Sequence, residues 1–574
     1  MGFSLIYARG ILRRAPLFVF SASLLNACAG GGTAVPGSTG GTNDGSGGAG
    51  TSQGGKASGV GGSAGRGGVG GSFSGTGGVA GSGSPGAGTG ASGTAGGTAG
   101  IGGHAGFAGN TSSPGGAAGA AAAGGTAGQG GSSLGGDGGV AGRGTSGAGG
   151  AAGAGGTAGA PPGSGTCGGG AVQASDITID ETKLEQQIRG FGVSSAWAGS
   201  YANKSDPDYL WSTTTGAGLT LLRIRYGDGL AIAQAAVKYG ATVWLTPWGT
   251  GNNGSPGGSV TTAQTDPNGC TGKGSMPVLT NPQEWANNLV TWVQNAKSQG
   301  VPLYAVSAEN EPDSCGINQT TSYSATQLAT WIGGYLGPAM APLGVKVMGP
   351  ETQNACGFKT YYAAIQSDTA AWNAVDIFAS HEYGCGTLPS EPAIATANKE
   401  YWETEVDTGT ANGDSPGDGI ASALLTATTI HNDLTKANLN AWHYWWLYCS
   451  NNSGCLYDTG TKVWAKRLWV MGNFSRFVRP GWKRVSTSGT PPSGVLVSAY
   501  LDPTSNALSI VAINSNTSPS NVSFYVTGGP PCSLTPYETS ASKDLGEGAS
   551  VKVAESRVTV ALAAQSVTTF VGRP

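Results

Sequence analysis

Charge is sparse along this chain, where Asp, Glu, Lys and Arg make up only 11% of 574 residues. The 29 Lys and Arg residues, against 32 Asp and Glu, nowhere form a basic run interleaved with aromatic residues. Nucleic-acid binding therefore has no electrostatic support. The chain also has only four histidines and no Cys-x-x-Cys pair, so the ligand spacing of a zinc site is missing. We expect no metal and no cofactor.

Long apolar runs are missing as well. The N-terminal run at 15–25 is shorter than the roughly 18 residues that a membrane-spanning helix needs. It follows a basic segment with three arginines and ends at 25–28 (LNAC), which resembles the lipobox of bacterial lipoproteins. We therefore expect 1–27 to be a signal peptide of the lipoprotein type. Lipidated Cys28 would hold an exported protein at the outer membrane or cell surface, and plain secretion is the alternative.

Glycine, by contrast, is abundant, and most of the 105 glycines precede Cys167. This stretch of Gly, Ala, Ser and Thr lacks a strict Gly-X-Y period rich in proline, which excludes collagen. Its composition cannot bury enough apolar surface to offset the entropy of ordering the chain. We predict a disordered linker at 28–166 that spans about 60 Å as a flexible coil. A glycine-rich adhesive segment is the alternative.

Eight cysteines remain when Cys28 is set aside. An even number in an exported chain indicates disulfide bonds. Only Cys449 and Cys455 lie close enough in sequence to suggest a particular pair. The other six are Cys167, Cys270, Cys315, Cys356, Cys385 and Cys532.

Beyond Cys167 short apolar runs alternate with helical patterns. In one clear unit Asn281 caps a helix, Pro282 takes its first position, and apolar residues recur at helical spacing until Gly300. A buried strand follows. The unit repeats, and the candidate strands are 187–193, 220–226, 242–248, 302–308, 345–350, 375–381, 400–405 and 439–446.

Eight strands that alternate with helices predict an α/β fold, a (β/α)8 TIM barrel, which we place at 187–480. After Pro480 the pattern changes to alternating short strands, typical of a small antiparallel β-sandwich at 481–574. The segment 167–186 is expected to join that sandwich.

Side chains suited to chemistry follow the predicted barrel strands, where TIM-barrel active sites lie. They are Trp248, Glu311, His381, Tyr383, Glu405 and Trp445. Glu311 and Glu405 would face each other across the narrow barrel mouth. Cleavage of a glycosidic bond needs a proton donor and a second carboxylate, which lie about 5 Å apart in retaining enzymes. A solvated loop residue is the ordinary alternative for any glutamate.

Several motifs together resemble glycoside hydrolase family 30, and in particular its bacterial glucuronoxylan endo-β-1,4-xylanases of subfamily 8. The motifs are 188–192 (IRGFG), 305–313 (AVSAENEPD), 381–384 (HEYG), 402–405 (WETE), 444–446 (YWW), 473–481 (NFSRFVRPG) and 564–571 (AQSVTTFV). The resemblance covers roughly 176–571. It implies a barrel with a fused β-sandwich, net retention, and no metal or organic cofactor.

The resemblance also implies roles for individual residues. Glu311 matches the acid/base of the family and Glu405 its nucleophile, while Asn310 matches the residue that contacts the sugar at the cleavage point. Trp248 and Trp445 match aromatic residues of the cleft, although barrel packing is an equal alternative for Trp248. His381 and Tyr383 are further candidate substrate contacts.

Arg223 matches an arginine beside the nucleophile of the family. We expect its positive charge to favour the ionised form of Glu405. A structural ion pair is the alternative role, and the two roles are compatible.

Two features depart from the family pattern. Glu309 stands where many relatives carry glutamine, and a close carboxylate could raise the pKa of its neighbour. The loop 447–455 has no arginine or lysine, although the glucuronoxylanases grip the glucuronate branch there with arginine. We therefore expect a xylanase that does not strictly depend on glucuronate, with Tyr448 and Asn451 as candidate replacement contacts. A disulfide-tightened turn without a substrate role is the alternative.

The expected partner is a xylan-like polysaccharide, and the chain is expected to act as a monomer. Two other functions stay open. One is another specificity of the family, β-1,6-galactanase or β-1,6-glucanase, and the other is a non-catalytic polysaccharide-binding surface protein.

Overall fold

The computed structural model of the chain describes residues 167–249, 260–263, 276–315, 320–409, 419–450 and 454–573. The predicted signal peptide 1–27, the lipidation site Cys28, the linker 28–166 and the candidate contact Asn451 lie outside these residues.

The strands of the first part of the described chain are β1 (Asp176–Gln187), β2 (Gly190–Ser194), β3 (Leu221–Arg225), β4 (Thr242–Thr246), β5 (Val260–Ala263), β6 (Met276–Leu279), β7 (Leu303–Ser307), β8 (Lys346–Thr352), β9 (Val375–His381), β10 (Glu400–Glu405), β11 (Ala441–Tyr444), β12 (Tyr448–Cys449), β13 (Tyr457–Asp458) and β14 (Val463–Trp464). Those that follow are β15 (Lys483–Ser488), β16 (Val495–Leu501), β17 (Leu508–Asn514), β18 (Ser520–Thr527), β19 (Ser533–Thr539), β20 (Gly546–Glu547), β21 (Val551–Lys552), β22 (Arg557–Leu562) and β23 (Ser566–Gly572).

The α-helices of the same residues are α1 (Asp206–Trp211), α2 (Leu230–Lys238), α3 (Pro282–Ser298), α4 (Ala325–Trp331), α5 (Gly337–Met340), α6 (Ala355–Ser367), α7 (Thr369–Ala374), α8 (Pro392–Thr396), α9 (Ile420–Asn432) and α10 (Lys466–Ser475). Two π-helical turns, Ile332–Leu336 and Asp433–Ala437, continue α4 and α9. None of the helices in the described residues combines the length and the apolar character that crossing a membrane requires.

A closed parallel barrel forms in the order β10-β11-β2-β3-β4-β7-β8-β9. The pattern that predicts its helices is visible in α3, where the side chain of Asn281 accepts the N–H of Glu284 and Pro282 takes the first turn. Apolar side chains then pack inward until Gly300, whose φ of 81° suits the chain reversal after the helix. The barrel with a separate sheet confirms the predicted fold class.

Large aromatic rings fill the barrel interior. Trp244 and Trp402 meet edge to face at 6.1 Å, and both rings contact the imidazole of His443. His443 accepts the indole N–H of Trp244, and burial lowers its pKa to about 3. The packed interior leaves the carboxyl ends of the strands as the place for a site.

The β-domain is a second sheet, in the order β20-β19-β23-β17-β16-β15-β1-β18-β22 with β21 beside β19, as far as the described residues show it. Its first strand, β1, precedes the barrel and pairs antiparallel with β15 and parallel with β18. A disulfide joins Cys167 to Cys532 in the same domain.

Helix α10 lies buried between the barrel and the β-domain. Asn473 donates to the carbonyl of Tyr537, and its own carbonyl accepts the hydroxyl of Thr569. Tyr500, Val511 and other side chains of the sheet share one apolar cluster with the barrel helices. Because this contact combines apolar packing with the hydrogen bonds of Asn473, it fixes the β-domain against the barrel.

Two further disulfides lie on the barrel side. Cys356 at the start of α6 is bonded to Cys385, just beyond β9. Cys449 is bonded to Cys455, which confirms the pair that their spacing suggests.

Candidate active site

Glu311 and Glu405 meet at the mouth of the barrel. Glu311 follows β7 and Glu405 ends β10, and both are nearly buried, at 5% and 4% exposure. A carboxylate oxygen of each and a ring nitrogen of His381 all lie within 4.8 Å of one another. The structure therefore brings together the two glutamates and the histidine that the sequence singles out.

The backbone at Glu311 adopts an uncommon conformation, with a φ of 45°. Its N–H donates to the carbonyl of Glu351, and the N–H of Asn310 donates to the carbonyl of Pro247. A positive φ is costly for a residue with a side chain and persists where surrounding contacts hold it. These hydrogen bonds fix the direction in which the carboxyl group of Glu311 leaves the strand.

Arg223 on β3 holds the nucleophile candidate. Its buried guanidinium forms ion pairs with Glu405 and with Glu351, the latter at 2.6 Å, and donates to Oδ1 of Asn310 at 2.7 Å. It also lies 4.0 Å from the ring centroid of Trp248. One planar cation thus orients an anion and an amide that face the cleft.

Arg223 acts to lower the pKa of Glu405, which is the direction expected, but burial acts in the opposite direction. Burial raises the pKa of Glu405, and the opposing effects of His381 and Arg223 do not cancel that rise. The reason is that a carboxylate removed from water loses more solvation than these two contacts return.

His381 bridges the carboxylates. Its Nδ1 lies 3.0 Å from Oε1 of Glu311, and its Nε2 lies 3.4 Å from Glu351 and 3.7 Å from Glu405. Burial lowers the pKa of His381, but Glu405, Glu311 and Glu351 outweigh that effect and raise it to about 10. The imidazole is therefore cationic at neutral pH.

Aromatic side chains wall the cleft around the two glutamates. This cleft of ≈ 230 Å³ is lined by Trp197, Trp248, Asn310, Glu311, Gln353, Tyr383, Glu405 and Trp445. Tyr383 is hydrogen-bonded to Glu405, and burial raises its pKa well above the ordinary value, so it keeps its proton. Flat apolar faces beside hydrogen-bonding groups are suited to sugar rings.

Three residues of this site were not predicted from the sequence. Trp197 follows β2, is 42% exposed, and contacts Trp248 and Trp445 at 5.6 and 5.9 Å between ring centroids. Glu351 lies at the carboxyl end of β8, and Gln353 directly follows this strand. The rule that barrel chemistry lies at the carboxyl ends of strands would have found all three.

Tyr448, a candidate substrate contact from the sequence, lies outside the cleft. It does not line the cleft, and its hydroxyl donates to Asp206 at 2.6 Å and accepts the N–H of Ala202 at 3.1 Å. With the disulfide Cys449–Cys455 next to it, Tyr448 has the contacts of a tightened turn.

Glu309 does not reach the cleft either. Its Oε1 accepts the backbone N–H groups of Gly249 and Thr321 at 2.6 and 3.2 Å. Burial raises the pKa of Glu309 well above its ordinary value, which favours its neutral form.

No family model matches the chain. The chain is similar to the glucuronoxylanase XynC of Bacillus subtilis (strain 168), with 30% identity over 412 residues that cover 70% of this chain and 92% of the relative. Two solved structures each have 30% identity and cover 70% of this chain and 100% of their own. They are a GH30 endoxylanase from Clostridium papyrosolvens C71, with a TM-score of 0.60, and the glycoside hydrolase family 30 subfamily 8 xylanase Xyn30A from Clostridium acetobutylicum, with a TM-score of 0.61.

Proposed function

The chain belongs to glycoside hydrolase family 30 and is a glycoside hydrolase, and from this premise we propose that it is a retaining endo-β-1,4-xylanase of the subfamily 8 type. The observation that carries the proposal is the separation of the two glutamates. Their nearest carboxylate oxygens lie within 4.8 Å. Retaining enzymes place the two groups about 5 Å apart, whereas inverting enzymes need about 6.5–9.5 Å to admit a water molecule.

Glu311 is the proposed acid/base and Glu405 the proposed nucleophile. Glu405 attacks the anomeric carbon while Glu311 gives its proton to the leaving oxygen, which breaks the glycosidic bond and forms a glycosyl ester. Glu311, now ionised, takes a proton from a water molecule that attacks the same carbon. The ester bond breaks, and the sugar leaves with its original anomeric configuration.

The neighbouring side chains support this division of roles. Arg223 contacts Glu405, which starts as an anion and becomes a neutral ester. His381 donates from Nδ1 to Glu311, which becomes an anion when it gives up its proton. The amide of Asn310 is held by Arg223 beside the cleft, where it can bind a sugar hydroxyl.

Xylan as the substrate is supported by the names of the similar proteins, a glucuronoxylanase and two xylanases. Independence from glucuronate is supported by the loop 447–455, which has no cationic residue to pair with a uronate. Tyr448 does not supply a substitute within the cleft, because its hydroxyl is bound to Asp206.

The experiment is product analysis with the full chain on unbranched xylan, glucuronoxylan, arabinoxylan, β-1,6-glucan and β-1,6-galactan. We expect xylo-oligosaccharides from unbranched xylan, and β-anomers as the first products in proton NMR. Products from glucuronoxylan alone would overturn the branch independence. Activity confined to a β-1,6 polymer would overturn the substrate, and first products with the α-configuration would overturn the mechanism.

The roles of the two glutamates are tested separately by azide rescue on an activated aryl xyloside. We expect Glu311→Gln and Glu405→Gln each to lose about 100- to 10,000-fold in kcat on xylan. Azide should restore Glu311→Gln with a β-xylosyl azide product. With Glu405→Gly, azide should give the α-xylosyl azide, because azide then attacks the face that the nucleophile has vacated. If Glu311→Gln gave the α-azide and Glu405→Gly the β-azide, Glu405 would be the acid/base and Glu311 the nucleophile.

We also propose export and anchoring through Cys28. Disulfides in the described residues support an oxidising destination. Labelled palmitate should enter the full chain in a bacterial host, and Cys28→Ser should abolish the label and move the protein from the membrane fraction to the soluble one. A labelled Cys28→Ser variant would refute the site.

A further inference from the structure

Glu351 occupies the centre of the buried charge network. It is completely buried at the carboxyl end of β8, and its φ is 57°. It does not line the cleft, so it is not placed to touch substrate. None of the motifs that relate the chain to its family includes it.

Three side chains contact the carboxylate of Glu351. Arg223 forms an ion pair with it at 2.6 Å, the hydroxyl of Thr246 donates to it at 3.2 Å, and Nε2 of His381 lies 3.4 Å from it. Arg223 also holds Glu405, and His381 also holds Glu311. Glu351 therefore contacts the cationic partner of each proposed catalytic glutamate, and among the described ion pairs it shares this property only with Glu405 itself.

The backbone of Glu351 also contacts Glu311 directly, because the carbonyl of Glu351 accepts the N–H of Glu311 at 2.9 Å. Both residues have positive φ values. A shift of the segment around Glu351 would thus move Glu311 directly, in addition to any effect through His381.

The contacts also determine the protons on His381. Nδ1 faces Glu311 and Nε2 faces Glu351, and an ionised carboxylate accepts but cannot donate. Burial raises the pKa of Glu351, but Arg223 and His381 outweigh it and hold the pKa below the ordinary value. An anion at Glu351, together with Glu405 at 3.7 Å from the same nitrogen, favours a proton on Nε2, while Nδ1 faces Glu311. The charged groups that act on His381 or are affected by it are Glu311, Asp313, Glu351, Glu403 and Glu405.

We propose that Glu351 is a positioning residue that keeps His381 doubly protonated and aligned on Glu311, so that Glu311 can alternate between acid and base. The proposal rests on the catalytic roles assigned above to Glu311 and Glu405. Without the carboxylate, Nε2 can lose its proton or turn away from β8. Glu311 then loses the cation that stabilises it after it has protonated the leaving group.

The first test is histidine NMR on the full chain labelled with ¹⁵N-histidine, with the His381→Gln spectrum for assignment. Burial lowers the pKa of His431 to about 4 and that of His443 to about 3, so neither is charged near neutral pH. In the wild type His381 should remain an imidazolium above neutral pH. Glu351→Gln should lower its titration midpoint by about one pH unit or more. An unchanged midpoint in folded Glu351→Gln protein would overturn the proposal.

The matched control is Glu309→Gln, which removes another fully buried carboxyl group that bonds Gly249 and Thr321 and does not contact His381. Its His381 midpoint should stay at the wild-type value, and an equal shift in both variants would refute a specific role of Glu351. If Glu351→Gln does not fold, Glu351→Asp replaces it. A shorter carboxylate should keep the imidazolium but lengthen its contact, so an unaltered His381 spectrum in Glu351→Asp would also overturn the proposal.

The second test is kinetic. A dinitrophenyl xylobioside has a leaving group that needs no proton, whereas xylan needs one. Glu351→Gln should therefore lose more in kcat on xylan than in the glycosylation step on the activated substrate, with little change in KM. Equal losses on both substrates would mean a general structural defect and would contradict the proposal. The NMR test needs no activity, so it separates a failure of this proposal from a failure of the proposed xylanase function.

Discussion

Trp197 is the most exposed ring of the cleft. It projects from the chain just beyond β2 with a φ of 62° and contacts Trp248 and Trp445 through ring edges. The guanidinium of Arg225 lies 5.4 Å from its centroid. A ring held on three sides with one side open to solvent is arranged to cover a sugar unit of a bound polymer.

We expect Trp197→Ala to raise KM on xylan about tenfold, corresponding to about 1.4 kcal/mol of lost contact, with little change in kcat. The ring lines the cleft, and its described contacts are with Trp248, Trp445, Trp446 and Arg225 and not with the carboxylates. Steady-state kinetics on soluble xylan measures this, with Trp197→Phe as the control that keeps a ring. A loss confined to kcat would show that the ring acts on the reacting groups instead.

The sequence predicts some residues of the site, such as Glu311 and Glu405, but not others, such as Glu351 and Trp197. Glu311 follows β7 and Glu405 ends β10, two strands whose apolar runs are easily located, so the barrel brings the two residues together by geometry alone. Glu351 and Trp197 also follow or end barrel strands, but neither stands in one of the motifs that draw attention to Glu311 and Glu405. Tyr448 is close to Trp445 in sequence, but the turn directs its hydroxyl to Asp206 on α1.

At the scale of elements, disulfides hold the loops that follow the barrel strands. Cys356–Cys385 joins the start of α6 to the loop after β9, two residues beyond Tyr383, and encloses a separation of 29 residues. Cys449–Cys455 encloses a separation of only 6 residues. The first bond restrains the loop that carries a cleft residue, and the second restrains a turn outside the cleft.

Removal of these two bonds should have different effects. From the loop-closure entropy of the unfolded chain we expect Cys356→Ala/Cys385→Ala to cost about 3.5 kcal/mol and Cys449→Ala/Cys455→Ala about 2 kcal/mol. Only the first should also lower kcat on xylan, because Tyr383 bonds Glu405. Urea unfolding and initial rates check both claims. A larger loss of activity in the second variant would instead give the 449–455 turn a role in catalysis.

The long helix α3 and the barrel strands were predictable because their apolar spacing and caps agree with the fold they adopt. The π-helical turns after α4 and α9 were not. Such turns insert an extra residue into a helix, and the spacing of side chains in sequence does not distinguish them from ordinary helix ends.

At the scale of the whole molecule, buried carboxyl groups govern the response to pH. Burial raises the pKa values of Glu309, Glu403 and Asp433 well above the ordinary value. Above about pH 4.3 the unfolded chain releases these protons while the folded chain keeps them, so the free energy of unfolding falls as the pH rises. His431 and His443, with lowered pKa values of about 4 and about 3, act in the opposite direction, but only below about pH 6.5.

Glu309→Gln isolates one of these groups. Relative to the wild type, the variant should gain about 1.4 kcal/mol in unfolding free energy for each pH unit between about pH 5 and about pH 7. Urea unfolding at both pH values measures this. The control is Thr326→Ala, which changes a neutral exposed side chain, and its unfolding free energy should differ from that of the wild type by the same amount at both pH values. A Glu309→Gln difference that is independent of pH would mean that Glu309 is ionised in the folded protein.

The position of β1 determines how mechanical tension enters the protein. A pull on the chain from its N-terminal side reaches Cys167 first, and the disulfide passes the force to Cys532 in the β-domain. Beyond it, β1 is held by β15 on one edge and β18 on the other, so its hydrogen bonds would have to shear together. The strand β2 and the catalytic barrel are thus mechanically shielded. Reduction of Cys167–Cys532 should lower the unfolding force in single-molecule pulling, while an equal force before and after reduction would show that β1 alone withstands the tension.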